Sequence, residues 1–225
     1  TWAQAIPKLA DAGFNAVFPN MLWSGVAFYP SAIVPQAEVV KREGDFLAPL
    51  VKAAHERGVQ VHLWKVSWQF AEDWLAPRGV SDPFRAEGRL QKKLDGSEAP
   101  WLCPSDPRNR EYEWAAFLEA AARGVDGLHL DYIRYGGQDV CYCDGCRIRF
   151  KKAGHKKVSS WPADVGPEGA RFEEYAAWKR ENITSFVREL RRRLKKDFPQ
   201  VKLSAAVFSR IEQARTFVSQ DWPAW

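Results

Sequence analysis

The 225-residue sequence lacks several features that would assign it to other protein classes. It has no apolar run long enough to span a bilayer, and Thr1 does not begin a signal peptide. It has no internal repeat, no low-complexity segment and no glycine-rich phosphate loop after a predicted strand, which argues against nucleotide binding. The residues alone leave the cellular location open, because a mature or trimmed secreted chain would look the same.

A large net charge is also absent. Lys and Arg number 33 and Asp and Glu number 28, so the net charge is only +5. The densest basic run, from Arg188 to Lys196, lies on a predicted helix and indicates a solvated helix face rather than a nucleic-acid-binding surface. By contrast, hydrophobic residues make up 46% of the chain, enough for a sizeable core, and there are 11 tryptophans. Many of these rings will be core, but aromatic platforms also hold sugar rings.

Helix and strand patterns alternate along the chain. The predicted helices cover residues 2–12, 46–57, 107–123 and 170–198, and each ends at a glycine or before a proline. The predicted strands cover 14–20, 59–68, the stretch that ends at Asp131, and 201–208. Segments 21–43 and 71–100 show no period and are predicted to be loops.

This alternation predicts an α/β fold with a parallel sheet and crossover helices. The loops after the strands are long and those before them are short, as in a (β/α)8 TIM barrel, whose site lies in the loops after its strands. A doubly wound sheet is the alternative. Four strands alone would leave two open edges, so residues 1–225 are predicted to form one barrel-type domain that is part of a longer chain.

The four cysteines form a compact pattern. Cys141, Cys143 and Cys146 are spaced Cys-x-Cys-x-x-Cys within a predicted insertion loop at 136–169, and Cys103 precedes the third helix. Four thiolates match a tetrahedral structural zinc site, and both segments lie at the same end of the predicted sheet. Cys141 and Cys143 are too close to bridge each other comfortably. Two disulfides, or unpaired loop cysteines, are the alternatives.

Asp131 is the leading candidate for a catalytic residue. It falls where the third predicted strand ends, and a carboxylate at the carboxyl end of a parallel strand is where α/β folds place their chemistry. His62 and Trp64 should face the same interior side from the preceding strand. His62 is predicted to bind a sugar hydroxyl, to steer Asp131 or simply to be buried, and Trp64 to form a ring platform or pack in the core. Asn20, at the end of the first strand, could donate to a hydroxyl.

Further candidates surround this strand end. Arg134 is predicted to hold Asp131 ionised or to serve the loop, and Tyr135 to lie at the rim. Three other aspartates near this strand have no predicted catalytic role. Asp126 is predicted to order the turn before the strand, and Asp139 and Asp144 to be solvated.

Several stretches together resemble one known family. They are Ala-Gly-Phe-Asn at 12–15, Gly-Val-Gln-Val-His-Leu-Trp at 58–64, Cys-Pro-Ser at 103–105 and Val-Asp-Gly-Leu-His-Leu-Asp-Tyr-Ile-Arg-Tyr at 125–135. This combination resembles the family-10-like glycosyl hydrolases, which are bacterial (β/α)8-barrel proteins generally inferred to act on polysaccharides. Residues 220–225 resemble the segment that precedes the family's sixth strand.

The resemblance implies a glycosidase whose strands here are the second to fifth of the barrel. Asp131 would then end the fourth strand, where many glycosidase clans place a catalytic acid residue. Glycoside hydrolysis usually needs two carboxylates, and Glu212 and Asp221 are candidates for the second. A substrate whose acetamido group supplies the nucleophile would reduce that need. The cysteine arrangement is also similar to the zinc site of the family 42 β-galactosidases. The implied partner is a polysaccharide or oligosaccharide, with no nucleic acid and no membrane span, and the implied location is secreted or cell-envelope. A non-catalytic carbohydrate-binding barrel, or an interaction module that docks through the cysteine loop, is the alternative.

Overall fold

The computed structural model describes residues 2–70, 79–155 and 157–225. These residues form eight strands and eight α-helices. The strands are β1 (Ala16–Val17), β2 (Asn20–Trp23), β3 (Val26–Ala27), β4 (Gln60–Val66), β5 (Leu90–Lys92), β6 (Glu98–Leu102), β7 (Gly127–Asp131) and β8 (Lys202–Ala205). The helices are α1 (Trp2–Asp11), α2 (Glu38–Glu43), α3 (Leu47–His55), α4 (Asp82–Ala86), α5 (Pro107–Ala121), α6 (Asp144–Lys152), α7 (Phe172–Asp197) and α8 (Ile211–Phe217).

Five of the six strands of the main sheet are parallel to one another. Strands β1 and β2 both pair in parallel with β4, β4 pairs in parallel with β7, and β7 pairs in parallel with β8. The order of these parallel strands follows the sequence without reversal, whereas a doubly wound sheet reverses direction at a switch point. The predicted parallel α/β architecture is therefore confirmed. Within the described residues the sheet is open, and no closed barrel is formed.

The two faces of β4 carry different residues, because successive side chains in a strand point to opposite sides. On one face Val61 and Leu63 are fully buried, and the Lys65 ammonium lies 5.4 Å from the centroid of the Phe117 ring on α5. This is the face that packs on the helices, as the sequence predicts. The other face carries His62 and Trp64.

Gly127 allows β7 to lie close to β4 on that second face. Gly127 is paired in register with His62, and a Cβ atom at position 127 would collide with the His62 ring. Only glycine leaves room for a histidine at this position of the sheet. The contact with His62 therefore explains why β7, the strand that ends at Asp131, begins with a glycine.

The long segments predicted to be loops contain more structure than expected. Segment 21–43 contains most of β2, all of β3 and helix α2, and the described part of 71–100 contains α4, β5 and most of β6. Residues 71–78 of the second segment lie outside the described residues. These elements are two to six residues long, too short to display a period. Strand β3 pairs in antiparallel fashion with the neighbouring β2, and β5 and β6 pair with each other.

The boundaries of the long helices agree closely with the sequence. Two predicted strands are shorter than expected, since 14–20 forms only β1 at Ala16–Val17, with Asn20 starting β2, and 201–208 forms β8 at Lys202–Ala205. Helix α5 begins at Pro107, and the Asp106 carboxylate caps it by accepting a hydrogen bond from the Arg108 N–H at 2.9 Å. The predicted insertion at 136–169 includes helix α6 and a 3₁₀ turn at Ala163–Val165. None of the helices in the described parts of the chain is long and apolar enough to cross a bilayer.

Candidate active site and thiol cluster

Asp131 is the last residue of β7 and lies half-buried at the carboxyl end of the sheet. Its Oδ2 accepts a hydrogen bond from the Trp64 indole N–H at 3.1 Å, and its Oδ1 accepts one from the N–H of Tyr132 at 2.7 Å. The backbone then turns sharply, because Tyr132 adopts a positive φ of 53°. Two donors and this turn therefore fix the direction in which the carboxylate points.

Trp64 contacts Asp131 from the neighbouring strand. Its ring meets the His129 ring edge-on, with centroids 5.9 Å apart, and His129 in turn is hydrogen-bonded through Nδ1 to the Ser204 hydroxyl at 2.9 Å. Burial lowers the pKa of His129 below its usual value, while the nearby charge of Asp131 acts in the opposite direction. Burial therefore favours the neutral form of His129. The row Trp64, His129 and Ser204 is a supporting layer directly below the carboxylate.

His62 lies lower in the sheet than the sequence analysis expects. It is paired in register with Gly127, whereas Asp131 is paired with Val66, four residues further along β4. At about 3.3 Å per residue this separates the two side chains by roughly 13 Å along the strands. His62 is 7% exposed, packs on Phe18 with ring centroids 4.8 Å apart, and burial lowers its pKa. The structure does not bring His62 to Asp131.

Asn20 is the first residue of β2 and is paired in register with Trp64. With its amide oriented to donate, the side chain reaches the carbonyl oxygens of Leu22 at 3.2 Å and of Trp64 at 3.3 Å. The amide oxygen then remains as an acceptor on the same face of the sheet as Trp64.

Arg134 is enclosed by aromatic rings. Its guanidinium lies 4.5 Å from the ring centroid of Tyr132, 5.1 Å from Trp101 and 5.5 Å from Phe208. One nitrogen donates to the carbonyl of Tyr135 at 3.3 Å, and no carboxylate of the described residues lies within ion-pair distance of it. Burial lowers the pKa of Arg134, partly offset by Tyr132 and Asp131.

This aromatic group was not predicted from the sequence. Trp101 lies on β6, inside the segment predicted to be loop, so nothing in the local pattern linked it to Arg134. Phe208 is 44% exposed beyond the end of β8. The sequence signal that could have identified Phe208 is an aromatic residue at the carboxyl end of a predicted strand.

Tyr135 does not reach the rim, where the sequence analysis expects it. Its side chain is fully buried, and its hydroxyl accepts a hydrogen bond from the Asn182 amide at 3.2 Å. The ring lies beside the Lys179 ammonium, 5.5 Å from its centroid. Tyr135 is therefore part of the wall between the strand end and the cysteine segment.

The two candidates for a second carboxylate lie in different surroundings. Glu212 is exposed on α8. Asp221 is half-buried, and its Oδ1 accepts hydrogen bonds from Nε and Nη2 of Arg215 at 2.9 and 2.8 Å. Neither shares a hydrogen bond with Asp131.

The remaining aspartates occupy the places that the sequence predicts. Asp126 precedes β7, and its Oδ2 accepts hydrogen bonds from the Val61 N–H at 2.8 Å and from His55 Nε2 at 2.9 Å. It therefore orders the entry to the strand. Asp139 and Asp144 are exposed.

The four cysteines come together, as the spacing predicts. Their sulfur atoms all lie within 4.8 Å of one another and are buried. Cys103 Sγ lies 3.4 Å from Cys146 Sγ and 3.9 Å from Cys143 Sγ, and none of the four is in a disulfide. In a tetrahedral zinc tetrathiolate, Zn–S bonds of about 2.3 Å place the sulfurs about 3.8 Å apart. The cluster thus has the dimensions of a tetrahedral metal site.

Local structure explains why the sulfurs meet. Cys103 follows β6, and Cys143 caps helix α6, where its sulfur accepts a hydrogen bond from the Cys146 N–H at 3.4 Å. Burial raises the pKa of the Cys141 and Cys146 thiols well above their usual range, because a thiolate loses its hydration there. A bound cation would remove that penalty, since a coordinated thiol is deprotonated outright.

A buried ion pair supports the sheet from the helix side and was also not predicted. Lys65 Nζ lies 2.7 Å from Glu113 Oε2, and the two side chains are 6% and 2% exposed. The second Glu113 oxygen accepts a 3.5 Å hydrogen bond from the N–H of Trp68, just beyond β4. A lysine that follows Val61 and Leu63 on the helix-facing side of β4 is the signal that could have revealed it.

Parallel-stranded barrel enzymes place their sites at the carboxyl ends of the strands, and the Asp131 carboxylate lies at such an end. Over residues 2–225 the chain matches the family Glycosyl hydrolase-like 10, and it belongs to that family. Among curated proteins it is 21% identical over 222 residues to "Glycosyl hydrolase YngK" of Bacillus subtilis strain 168, covering 92% of this chain and 39% of that protein. The chain therefore spans about two fifths of that relative.

Solved structures show the same fold. The glycoside hydrolase domain of PgaB (BpsB) from Bordetella bronchiseptica superimposes with a TM-score of 0.73 at 13% identity, covering 99% of this chain and 64% of that one. An alpha-L-fucosidase isoenzyme 2 from Paenibacillus thiaminolyticus gives a TM-score of 0.66 at 17% identity, covering 94% and 30%. A beta-galactosidase from the psychrophilic Marinomonas ef1 gives 0.63 at 13% identity, covering 91% and 34%.

Proposed function

We propose that this protein is a glycoside hydrolase that acts on a polysaccharide, with Asp131 as its key carboxylate. The observation that carries the proposal is the Asp131 carboxylate at the carboxyl end of β7, held by the Trp64 indole N–H at 3.1 Å. Membership of a glycosyl hydrolase-like family supports the reaction class. We also propose that β1 with β2, then β4, β7 and β8, correspond to strands two to five of a TIM barrel, since their order follows the chain without reversal.

The Asp131 carboxylate is of the right sign to stabilise the positive charge that develops on the sugar during glycoside hydrolysis. The glycosidic carbon becomes oxocarbenium-like in the transition state, and a nearby negative charge stabilises it. Asp131 can supply that charge directly or can orient an acetamido group of the substrate. In either role the two hydrogen bonds to the carboxylate keep it in place before substrate binds, so little reorganisation is needed during the reaction.

Other side chains at this end of the sheet provide contacts for a sugar chain. Arg134 has N–H groups that no described carboxylate occupies, and rings on three sides limit its movement. Asn20 offers an acceptor oxygen beside Trp64. Phe208, exposed next to Arg134, presents a flat apolar surface of the kind on which a sugar ring stacks. Trp64 acts in this proposal by positioning Asp131, and His62 and Tyr135 act as support.

The test is release of reducing ends from a panel of neutral, acidic and acetamido polysaccharides, combined with calorimetric binding to the same panel. Release by the wild type, and loss of release in Asp131→Asn, would support the proposal. A second function, binding without turnover, is favoured by one observation, namely that Asp221 is engaged by Arg215 and Glu212 is exposed. Binding with no release across the panel would favour that second function.

We further propose that the four cysteines hold one structural zinc ion. The sulfur spacing and the burial of all four sulfurs support this. A four-thiolate shell leaves no open position, so the metal would brace the segment after β7 rather than take part in the reaction. Elemental analysis of purified protein should show about one zinc per chain. Two disulfides found by mass spectrometry, with no metal, would reject the zinc site.

A further inference from the structure

Two cations lie beside the thiol cluster, one half-buried and one fully buried, and neither belongs to the proposed carbohydrate site. The first is Arg149 on α6, which donates from Nη2 to Cys103 Sγ at 3.8 Å and from Nε to the Ser105 hydroxyl at 3.1 Å. The Ser105 oxygen itself lies 3.1 Å from Cys103 Sγ and 3.3 Å from Cys146 Sγ. Arg149 therefore contacts the sulfurs both directly and through one hydroxyl group.

The second cation is Lys179 on α7, which is 2% exposed. Its ammonium donates to the carbonyl of Val140, the residue before Cys141, at 2.8 Å. Three tyrosine rings surround it at 5.5 to 5.6 Å: Tyr135, Tyr142 and Tyr175. Within the described parts of the chain no carboxylate is in ion-pair distance of Lys179, so a buried positive charge is left without an anionic partner of its own.

The charges of the two cations and of a cluster that holds a divalent ion sum to zero. Four thiolates around a divalent ion carry a net charge of −2, and two cations carry +2. Asp106 adds one negative charge, since its Oδ2 lies 3.8 Å from Arg149 Nη1, but Arg108 pairs with the same oxygen at 2.8 Å and leaves the sum unchanged. Isolated charge is costly in a buried site, so a neutral total is strongly favoured.

We propose that Arg149 and Lys179 are the counter-cations of the cluster and make it a site for a divalent metal ion. The proposal rests on the zinc site proposed above and adds the residues that set its charge. A monovalent ion would leave the buried group at −1 and a trivalent ion would leave it at +1. A divalent ion alone balances the two cations.

The test is metal affinity in variants that remove one charge but keep an unbranched side chain. Zn²⁺ affinity is measured by competition with a chelator and Co²⁺ binding by its thiolate absorption, for wild type, Lys179→Met and Arg149→Met. Each variant should bind Zn²⁺ roughly 10- to 100-fold more weakly, the range found for outer-shell partners of metal sites. Arg147→Met on α6 and Arg180→Met on α7 are the matched controls and should bind as the wild type does.

A second readout separates charge from packing. Iron-substituted protein is reduced and oxidised at the metal, and a neighbouring cation stabilises the more negative ferrous form. Lys179→Met and Arg149→Met should therefore lower the iron reduction potential, while Lys179→Arg should leave it close to the wild-type value. Variants with unchanged affinity and potential would overturn the proposal while leaving the zinc site intact. If Lys179→Met fails to fold, Arg149→Met and Lys179→Arg decide the outcome. A wild type that binds no metal would reject both proposals.

Discussion

Trp64 has two neighbours that define its role, Asp131 and His129. Its indole N–H is donated to the Asp131 carboxylate, and its ring is held edge-on to His129 by the sheet register. A hydrogen bond to a charged group is worth about 1.5–3 kcal/mol. Trp64 can therefore fix the carboxylate without touching the substrate.

We predict that Trp64→Phe keeps the fold and lowers kcat by roughly 10- to 100-fold, because it removes the donor but keeps an aromatic ring. The change in KM should be smaller, since binding contacts remain. Steady-state kinetics on a confirmed substrate measure both values. Trp222→Phe, at a partly exposed position near the C-terminus, is the control and should behave as the wild type does. Equal losses in both variants would show that the indole N–H has no special role.

Asp126 is expected to make stability depend on pH. Burial acts to raise its pKa, but hydrogen bonds from the Val61 N–H and from His55 lower it below 3.8 overall. A carboxyl group with a lower pKa in the folded state stabilises the fold above its unfolded pKa, and this contribution is lost as pH falls through the folded pKa. Asp126→Asn should therefore lower Tm at neutral pH, and the difference from wild type should shrink below pH about 3.8. Thermal melts across this range check it, and a difference independent of pH would contradict it.

At the scale of whole elements, sequence periodicity located the long helices and the central strands. Helix α7 and strand β4 are long enough for their apolar residues to show a clear pattern, and Asp106 with Pro107 marked the start of α5. The β5–β6 hairpin was not predicted, because its strands have three and five residues and depend on each other for pairing. Trp101 therefore could not be placed beside Arg134 from the sequence.

The candidate site, too, could be predicted only in part from the sequence. Asp131 was a candidate because its strand end is clear, and Cys141, Cys143 and Cys146 because their spacing is local, whereas Cys103 was added as the only other cysteine. The depth of His62 and the burial of Tyr135 were not, because each depends on register with Gly127 or on packing against Asn182 and Lys179. Contacts between distant segments decide such positions, and one sequence does not reveal them.

The packing of α5 on β4 gives a prediction for the Lys65–Glu113 pair. Lys65→Met should destabilise the protein by roughly 3–5 kcal/mol, because it leaves the Glu113 carboxylate buried without a partner. The double variant with Lys65→Met and Glu113→Gln should recover much of this loss, since no uncompensated charge remains. Urea unfolding of the wild type, both single variants and the double variant gives the coupling. Additive losses would show that the two charges do not interact.

At the scale of the whole molecule, the Asp131 site and the cysteine cluster are joined by a single connecting segment. Asp131 ends β7, and ten residues later Cys141 begins the cysteine pattern, so the chain passes from one centre to the other without an intervening helix or strand. Arg134 and Tyr135 lie on this connection, one enclosed by rings near the carboxylate and the other buried beside Lys179. A metal ion at the cysteines would therefore stabilise the segment that follows Asp131.

The central claim is that Asp131 supplies the charge on which hydrolysis depends. The most direct test is the kcat/KM of wild type and Asp131→Asn on the best polysaccharide from the panel, with circular dichroism as the folding check. Asp139→Asn, an exposed aspartate after the same strand, is the matched control. We predict that Asp131→Asn folds normally and loses activity by roughly a hundredfold or more, while Asp139→Asn keeps it. A folded Asp131→Asn variant with near wild-type turnover would contradict the account.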